Sequence, residues 1–381
     1  MTMKRILLYI ALVLGVATSA YGREIYSLNS GWKFFYTEEN SSDNAREICV
    51  PHTWNIDAFV GNGTYRQTSA NYQRTLFVPA EWQGKRLFLR FGGVQSVADV
   101  FVNGSHVGEH RGGWTAFTFE ITDKVLFGSS NTLLVAVSNA FHNDVLPTST
   151  EDNLYGGIYR DVELIVTGQT AISPLYYGTE GVMVHPSKVS SERAEGRVDV
   201  MLMGKKDGVC NVSLDVVSPD GYVAMSRTVK AKIDGKLLSV PFAVENPELW
   251  SPETPSLYEA HVTVEADGQV MDRVAESFGI RTFTYSATDG FRLNGQPVLL
   301  NGGCAHHDNG VLGAKSFDAA EARKVRLMKE AGFNAVRTSH NLPSEAFLHE
   351  CDRQGLLVID ESFDGWRDSK TPYDYSTEFD Q

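Results

Sequence analysis

The chain changes its grammar at Asp289, and that change limits what it can fold into more than any other feature. Upstream, short β-rich runs such as "RTLFVP", "KRLFLRF", "ADVFVNGSHVGEH" and "NTLLVAVSN" are separated by Gly, Pro and Asn, with no 3.6-residue period over any long window. Asn103-Gly104 lies between two apolar runs, the pattern of a type I′ hairpin turn. Many strands without helices predict a two-sheet sandwich of jelly-roll type over 23–168. A second all-β stretch over 169–283, with "GRVDVMLM", "CNVSLDVV", "LLSVPFAV" and "LYEAHVTVEA", predicts an immunoglobulin-like β-sandwich that lacks the Cys…Trp…Cys staple. Within it, the proline- and aromatic-rich "NPELWSPETPSLY" reads as a rigid connecting loop.

After Asp289, strand and helix alternate. "FRLNGQPVLLNG" reads as a hairpin around Asn294-Gly295. Asp318 as N-cap, with Glu321 three residues on, predicts a helix that ends before Gly332. "NAVRTS" reads as a strand, Ser344 to Gln354 as a helix closed by Gly355, and "LLVIDE" as another strand. This order predicts a parallel sheet or the first part of a (β/α)₈ TIM barrel over 284–381. A whole barrel takes about 250 residues, so residues 290–381 are expected to supply only its beginning.

Composition excludes some partners. Hydrophobic residues make up 42% and charged residues 21% of the chain, as in a soluble globular protein. A net charge of −13 argues against nucleic acid and against anionic lipid. The first 22 residues carry Lys4-Arg5, an apolar stretch Ile6 to Val16 and the small-x-small site Ala20-Tyr21-Gly22. They read as a signal peptide too short to span a bilayer, so the protein is expected to be exported, periplasmic or extracellular, with no membrane insertion after cleavage. Cys49, Cys210, Cys304 and Cys351 form no CxxC pair and are expected to be buried free thiols.

The active side of a (β/α)₈ barrel is the C-terminal end of its strands. There the sequence places His306-His307-Asp308, then Arg337 and His340, then Asp360-Glu361, with Trp366 close behind. Arg, His, carboxylate and Trp on one rim suit a sugar, with polar groups for hydroxyls and an aromatic face for the ring. Each also has a plainer reading. Arg337 is either a buried ion-pair partner of Asp360 or Glu361 or a ligand-facing group, and His340 is either structural or part of the site. Adjacent strand residues point to opposite faces, so His306 and His307 are not expected to share a metal. For the same reason Asp360 and Glu361 are not the acid and nucleophile, which in a retaining glycosidase lie about 5–5.5 Å apart across the scissile bond.

"NAVRTSHNLPSEAFLHECDRQGLLVIDESFD" closely resembles the signature of glycoside hydrolase family 2, which includes β-galactosidases, β-glucuronidases and β-mannosidases. "VPHTW", "ADVFVNGSHVGEHRGGWTAF" and "GGIYRDVEL" resemble its jelly-roll domain, "LWSPETPSLY" and "FGIRTF" its immunoglobulin-like domain, and "FRLNGQPVLLNGG" the start of its barrel. The resemblance implies a retaining mechanism with two glutamates. It implies that His340 contacts sugar, that Arg337 is a buried arginine beside the catalytic carboxylates, and that His306 matches a histidine at the end of the first strand. It also implies that a jelly-roll loop reaches the pocket, where Glu151 and Asp152 stand in place of the usual aspartate. Glu361 and Trp366 complete the expected sugar-binding set.

Both catalytic glutamates of the family lie beyond the third barrel strand, and no Asn-Glu dipeptide follows Trp366, so this chain alone is expected to be inactive. "HHDNG" and "DESFDGW" favour a β-galactosidase type, with β-glucuronidase or β-mannosidase as the alternative and a non-catalytic carbohydrate-binding remnant as the rival class. No cofactor is expected in these residues. The resemblance leaves a divalent cation and homo-oligomerisation open for the complete enzyme.

Overall fold

The computed structural model describes residues 22–39, 44–56, 65–142, 145 and 155–362. Two β-sandwiches are followed by a hairpin and a three-stranded parallel sheet with two helices.

In the first sandwich a six-stranded and a four-stranded sheet enclose one core, which includes Trp32, Phe34, Tyr72, Leu89, Phe91 and Val135. Strand alternation places these side chains: along Ser129–Ser138, Leu133, Val135 and Val137 point inward. The expected turn forms, with Asn103 at φ 51° and Gly104 at φ 77° between the paired residues Val102 and Ser105. The strand Arg86–Phe91 is buried on both faces. Leu87, Leu89 and Phe91 join the sandwich core, and Phe88 packs with Ile165, Ala171 and Met203 toward the second sandwich. A strand buried on both faces reads as a continuous apolar run, as "RLFLRF" nearly does.

The second sandwich pairs two four-stranded sheets around Val198, Val212, Leu214, Val240, Phe242 and Val262. It is fastened to the first by Arg23, whose side chain is only 6% exposed. The guanidinium spans both carboxylate oxygens of the fully enclosed Asp272, at 3.1 and 2.9 Å, and reaches Glu180 at 2.7 Å and the Ile172 carbonyl at 2.9 Å.

Beyond the Asn294-Gly295 hairpin, the parallel strands Gly302–Ala305, Ala335–Thr338 and Leu357–Ile359 lie side by side in chain order. Helices Asp318–Glu330 and Glu345–Gln354 connect them and bury Val325, Phe347 and Cys351 against Val336 and Leu356. The second helix starts and stops as its sequence predicts. Ser344 Oγ accepts from the Phe347 N–H at 3.2 Å, and Gly355 ends it at φ 77°. Glycine is required at 355 twice over, because a Cβ there would also lie 2.4 Å from the Pro252 carbonyl oxygen.

The first helix departs from expectation. Its N-cap is Phe317 and Asp318 is already helical. Glu321 does not reach back to the cap. Its carboxylate is drawn into the interior by Ser316 Oγ and Asn309 Nδ2, both at 2.9 Å, and by Lys324 at 3.1 Å. The thiols also divide: Cys210 and Cys351 are buried, whereas Cys49 and Cys304 are exposed. Cys49 follows the edge strand Arg46–Ile48, and Cys304 lies on the first of the three described parallel strands.

The loop read as a connector acts as a stopper. Trp250 is 1% exposed and packs with Leu293 and with Ala335 and Leu357, the first residues of two parallel strands. Its indole Nε1 donates to the Asp352 carbonyl at 2.8 Å, and Lys329 Nζ ties Pro252 to Gly355. The second sandwich thereby seals the N-terminal ends of the sheet. Residues 1–21 lie outside the described residues, and no described helix is long and apolar enough to cross a membrane.

Two outcomes test this junction. Arg23→Ala leaves Asp272 enclosed without its counter-charge and is expected to cost about 3–5 kcal/mol in urea unfolding. Arg23→Lys should recover only part, because an ammonium cannot bridge both oxygens; a loss within about 1 kcal/mol would show a solvent-exposed pair instead. Glu276 is pushed up to about 7 by burial and by Glu180, Glu345 and Asp352. The native state therefore holds a proton that the unfolded chain releases near the ordinary carboxylate value. Its contribution to stability falls as pH rises from about 4.5 to about 7. Glu276→Gln is expected to raise stability over the parent at pH 8 and to lose that advantage at pH 4; an equal difference at both pH values would contradict this.

Candidate functional site

The C-terminal ends of the three parallel strands carry Ala305, Thr338 and Ile359, and the residues that follow each strand gather at one rim. Glu361 is the hub. Its Oε1 accepts from Arg337 NH2 at 2.9 Å and from His340 Nδ1 at 3.0 Å, and its Oε2 lies 2.7 Å from the same guanidinium nitrogen. A carboxylate only accepts, so His340 carries a proton on Nδ1, and in the neutral ring Nε2 is the acceptor. Thr338 Oγ1 donates to Asp360 and accepts from the Glu361 N–H, both at 3.1 Å. Asp360 and Glu361 thus serve different partners, as neighbours at a strand end must.

His306 meets His340 edge to face, with ring centroids 6.0 Å apart. Of the seven expected sugar-binding residues, Arg337, His340, Glu361 and His306 come together. Glu151, Asp152 and Trp366 lie outside the described residues. Where the resemblance implies a buried arginine, the Arg337 side chain is 43% exposed, on the middle of the three described parallel strands. Of the two plain readings of Arg337, the ion pair is present and its partner is Glu361. Cys304 Sγ lies 3.8 Å from Arg337 NH1, and the nearby Ser339 and Arg337 side chains draw its thiol below the usual range.

Sequence reasoning missed the residues that hold this rim in place. Arg160, in "GGIYRDV", gives its guanidinium to three backbone carbonyls: Trp114 at 2.8 Å, Gly92 at 3.3 Å and Leu342 at 3.1 Å. It thereby joins two jelly-roll loops to the segment that follows His340. Arg90 does the same on the outer side, pairing with Glu163 and with Glu345 at the start of the second helix. His307 turns away from His306 into the jelly roll, where its ring lies edge-on to Trp114 at 4.2 Å and to Tyr155 at 5.4 Å. Burial holds its imidazole well below the usual range, and Arg160, Lys324 and His306 push it the same way. The only sequence signal for these roles was the alternation that separates His307 from His306.

Among the described residues no group of three or more His, Cys, Asp or Glu side chains is arranged to hold a metal ion. The rim can do something simpler. It presents charged and neutral hydrogen-bonding groups, fixed by one carboxylate, on the open side of a parallel sheet.

Comparison with known proteins agrees with this architecture. Three family models match in succession: "Glycosyl hydrolases family 2, sugar binding domain" over residues 25–168, "Glycosyl hydrolases family 2" over 180–281, and "Glycosyl hydrolases family 2, TIM barrel domain" over 287–365. A beta-glucuronidase of Bacteroides fragilis is 38% identical over 344 residues, covering 88% of this chain and 49% of that protein. A beta-galactosidase of Bacteroides ovatus is 32% identical, covering 94% of this chain and 43% of that protein. A solved Bacteroides uniformis beta-glucuronidase 2, covalently bound to cyclophellitol-6-carboxylate aziridine, superposes with a TM-score of 0.85 at 31% identity over 92% of this chain and 43% of its own. The chain spans about half the length of the curated relatives it matches, or somewhat less. The three domains in this order, with the beginning of the barrel, make the chain a member of glycosyl hydrolases family 2.

Proposed function

We propose that this chain supplies the sugar-reading rim of an exported retaining β-glycosidase that removes terminal β-linked sugars. The observation that carries the reading is the Arg337–Glu361–His340 cluster at the C-terminal ends of barrel strands, with His306 facing it. Its roles follow from its chemistry. His340 and His306 are the rings that take sugar hydroxyls, and Arg337 orients Glu361. Glu361 is a binding and orienting group, held by a cation and an imidazole. Cleavage belongs to two other glutamates, one protonating the leaving oxygen and one forming the glycosyl-enzyme. A relative that is bound covalently by a sugar-like aziridine supports a nucleophilic, retaining course. The N-terminal stretch supports export.

The sugar is read in one of two ways. "HHDNG" and "DESFDGW" favour a β-galactoside, whereas the 38% identity to a beta-glucuronidase favours a β-glucuronide. Saturation-transfer NMR on the purified chain with methyl β-D-galactoside and methyl β-D-glucuronide separates them. One sugar is expected to bind with a Kd on the order of millimolar, and His340→Ala should weaken it about tenfold or more, as loss of a hydrogen-bonding group implies. The same preparation is expected to give no turnover of the p-nitrophenyl glycosides. Equal contact by both sugars that survives His340→Ala would remove the rim from the account, and turnover would show that these residues hold a carboxylate pair after all.

A further inference from the structure

Two dipeptides lie side by side at the top of the parallel sheet. His306-His307 leaves the first strand and His340-Asn341 leaves the second. Their outer members, His306 and His340, meet at the rim. Their inner members meet as well: Asn341 Nδ2 donates to His307 Nδ1 at 3.4 Å. His307 is thus one peptide bond from one rim histidine and one hydrogen bond plus one peptide bond from the other.

The jelly roll fixes the His307 ring. Trp114, Tyr155 and Tyr159 surround it at centroid distances of 4.2, 5.4 and 6.3 Å, with interplanar angles of 74°, 87° and 67°. Edge-to-face packing on three sides leaves little rotational freedom. Leu342, next after Asn341, is held by Arg160 from the same domain. Both dipeptides are therefore referenced to the first sandwich as well as to the barrel sheet.

An aromatic box of this kind would accept a phenylalanine at lower cost. Enclosing an imidazole sacrifices its hydration, and burial has already pushed the ring to its neutral form. What a histidine has and a phenylalanine lacks is a ring nitrogen that can take the Asn341 amide. With Nδ1 accepting, the neutral ring carries its proton on Nε2. We propose that His307 is a positioning residue for sugar recognition: through its hydrogen bond from Asn341 and its aromatic seat on the jelly roll, it sets the separation and orientation of His306 and His340. It touches no substrate itself. This inference rests on the glycosidase reading of the rim, and it makes the first sandwich part of the site's geometry and not just its neighbour.

Imidazole NMR of the ¹⁵N-histidine-labelled chain tests it, with three variants and the sugar identified above as probe. His307→Phe fills the box and removes the acceptor; Asn341→Leu removes the donor and leaves the box intact. Both are expected to shift the ring resonances of His306 and His340 and to weaken sugar contact about tenfold, the usual worth of one such hydrogen bond. His307→Gln, whose side-chain oxygen can take the Asn341 amide, should restore part of both. Because Asn341→Leu leaves the aromatic contacts untouched, it answers even where His307→Phe does not fold. If both rim rings keep their parent resonances and sugar contact while only the melting temperature drops, His307 is a packing residue and the inference is wrong. If the parent binds neither sugar but the rim resonances still move in Asn341→Leu and recover in His307→Gln, the positioning holds and the glycosidase reading is what fails.

Discussion

The rim depends on how one buried cation is satisfied. Arg160 is 7% exposed, yet its hydrogen bonds go to three backbone carbonyls, contributed by two jelly-roll loops and by the loop after the second barrel strand. A buried guanidinium needs acceptors for its donors, and the two terminal nitrogens of Arg160 reach carbonyls from three segments only when those segments stand in one arrangement, while Nε has no partner among the described residues. Moving the loop after His340 would leave an enclosed charge short of an acceptor. The jelly roll therefore acts as a template for the top of the barrel sheet. Arg90 and its partners Glu163 and Glu345 repeat the arrangement on the helix side.

The opposite end is held by a different interaction. Trp250 plugs the N-terminal ends of the parallel strands through apolar contact, with Arg281 stacked 4.4 Å over its ring. One sandwich closes the bottom of the sheet with an aromatic stopper and the other organises its top with polar clamps. That division suits the proposed sugar site, which needs polar groups where the strands end and none where they begin. Between the sandwiches and the helices sits the acidic junction of Glu180, Glu276, Glu345 and Asp352, where repulsion and burial raise the Glu276 carboxyl. The second sandwich and the second barrel helix are thus linked electrically as well as sterically.

Much of this was legible in the sequence, for local reasons. The Asn103-Gly104 and Asn294-Gly295 turns, the Ser344 cap and the Gly355 stop follow from backbone chemistry within a few residues. Arg337, His340 and Glu361 could be picked out because the end of a short apolar strand in a βα series is a functional address. The misses share one cause. Glu321 abandons the N-cap for Ser316 and Asn309, the 247–256 loop turns out to be a plug, and His307 finds Trp114 nearly two hundred residues away. Each is decided by a partner distant in sequence or by burial that no local window encodes.

The central claim is that these residues form the substrate-reading part of a glycosidase. A chimera tests it most directly: residues 23–362 of this chain replacing the matching segment of the Bacteroides fragilis beta-glucuronidase, assayed on p-nitrophenyl β-D-glucuronide and β-D-galactoside. The account predicts a folded, active chimera whose hydrolysis falls when His340 or Arg337 is replaced by alanine. A chimera that folds with the parent's cooperativity and hydrolyses neither sugar, or one that is indifferent to both substitutions, would contradict it.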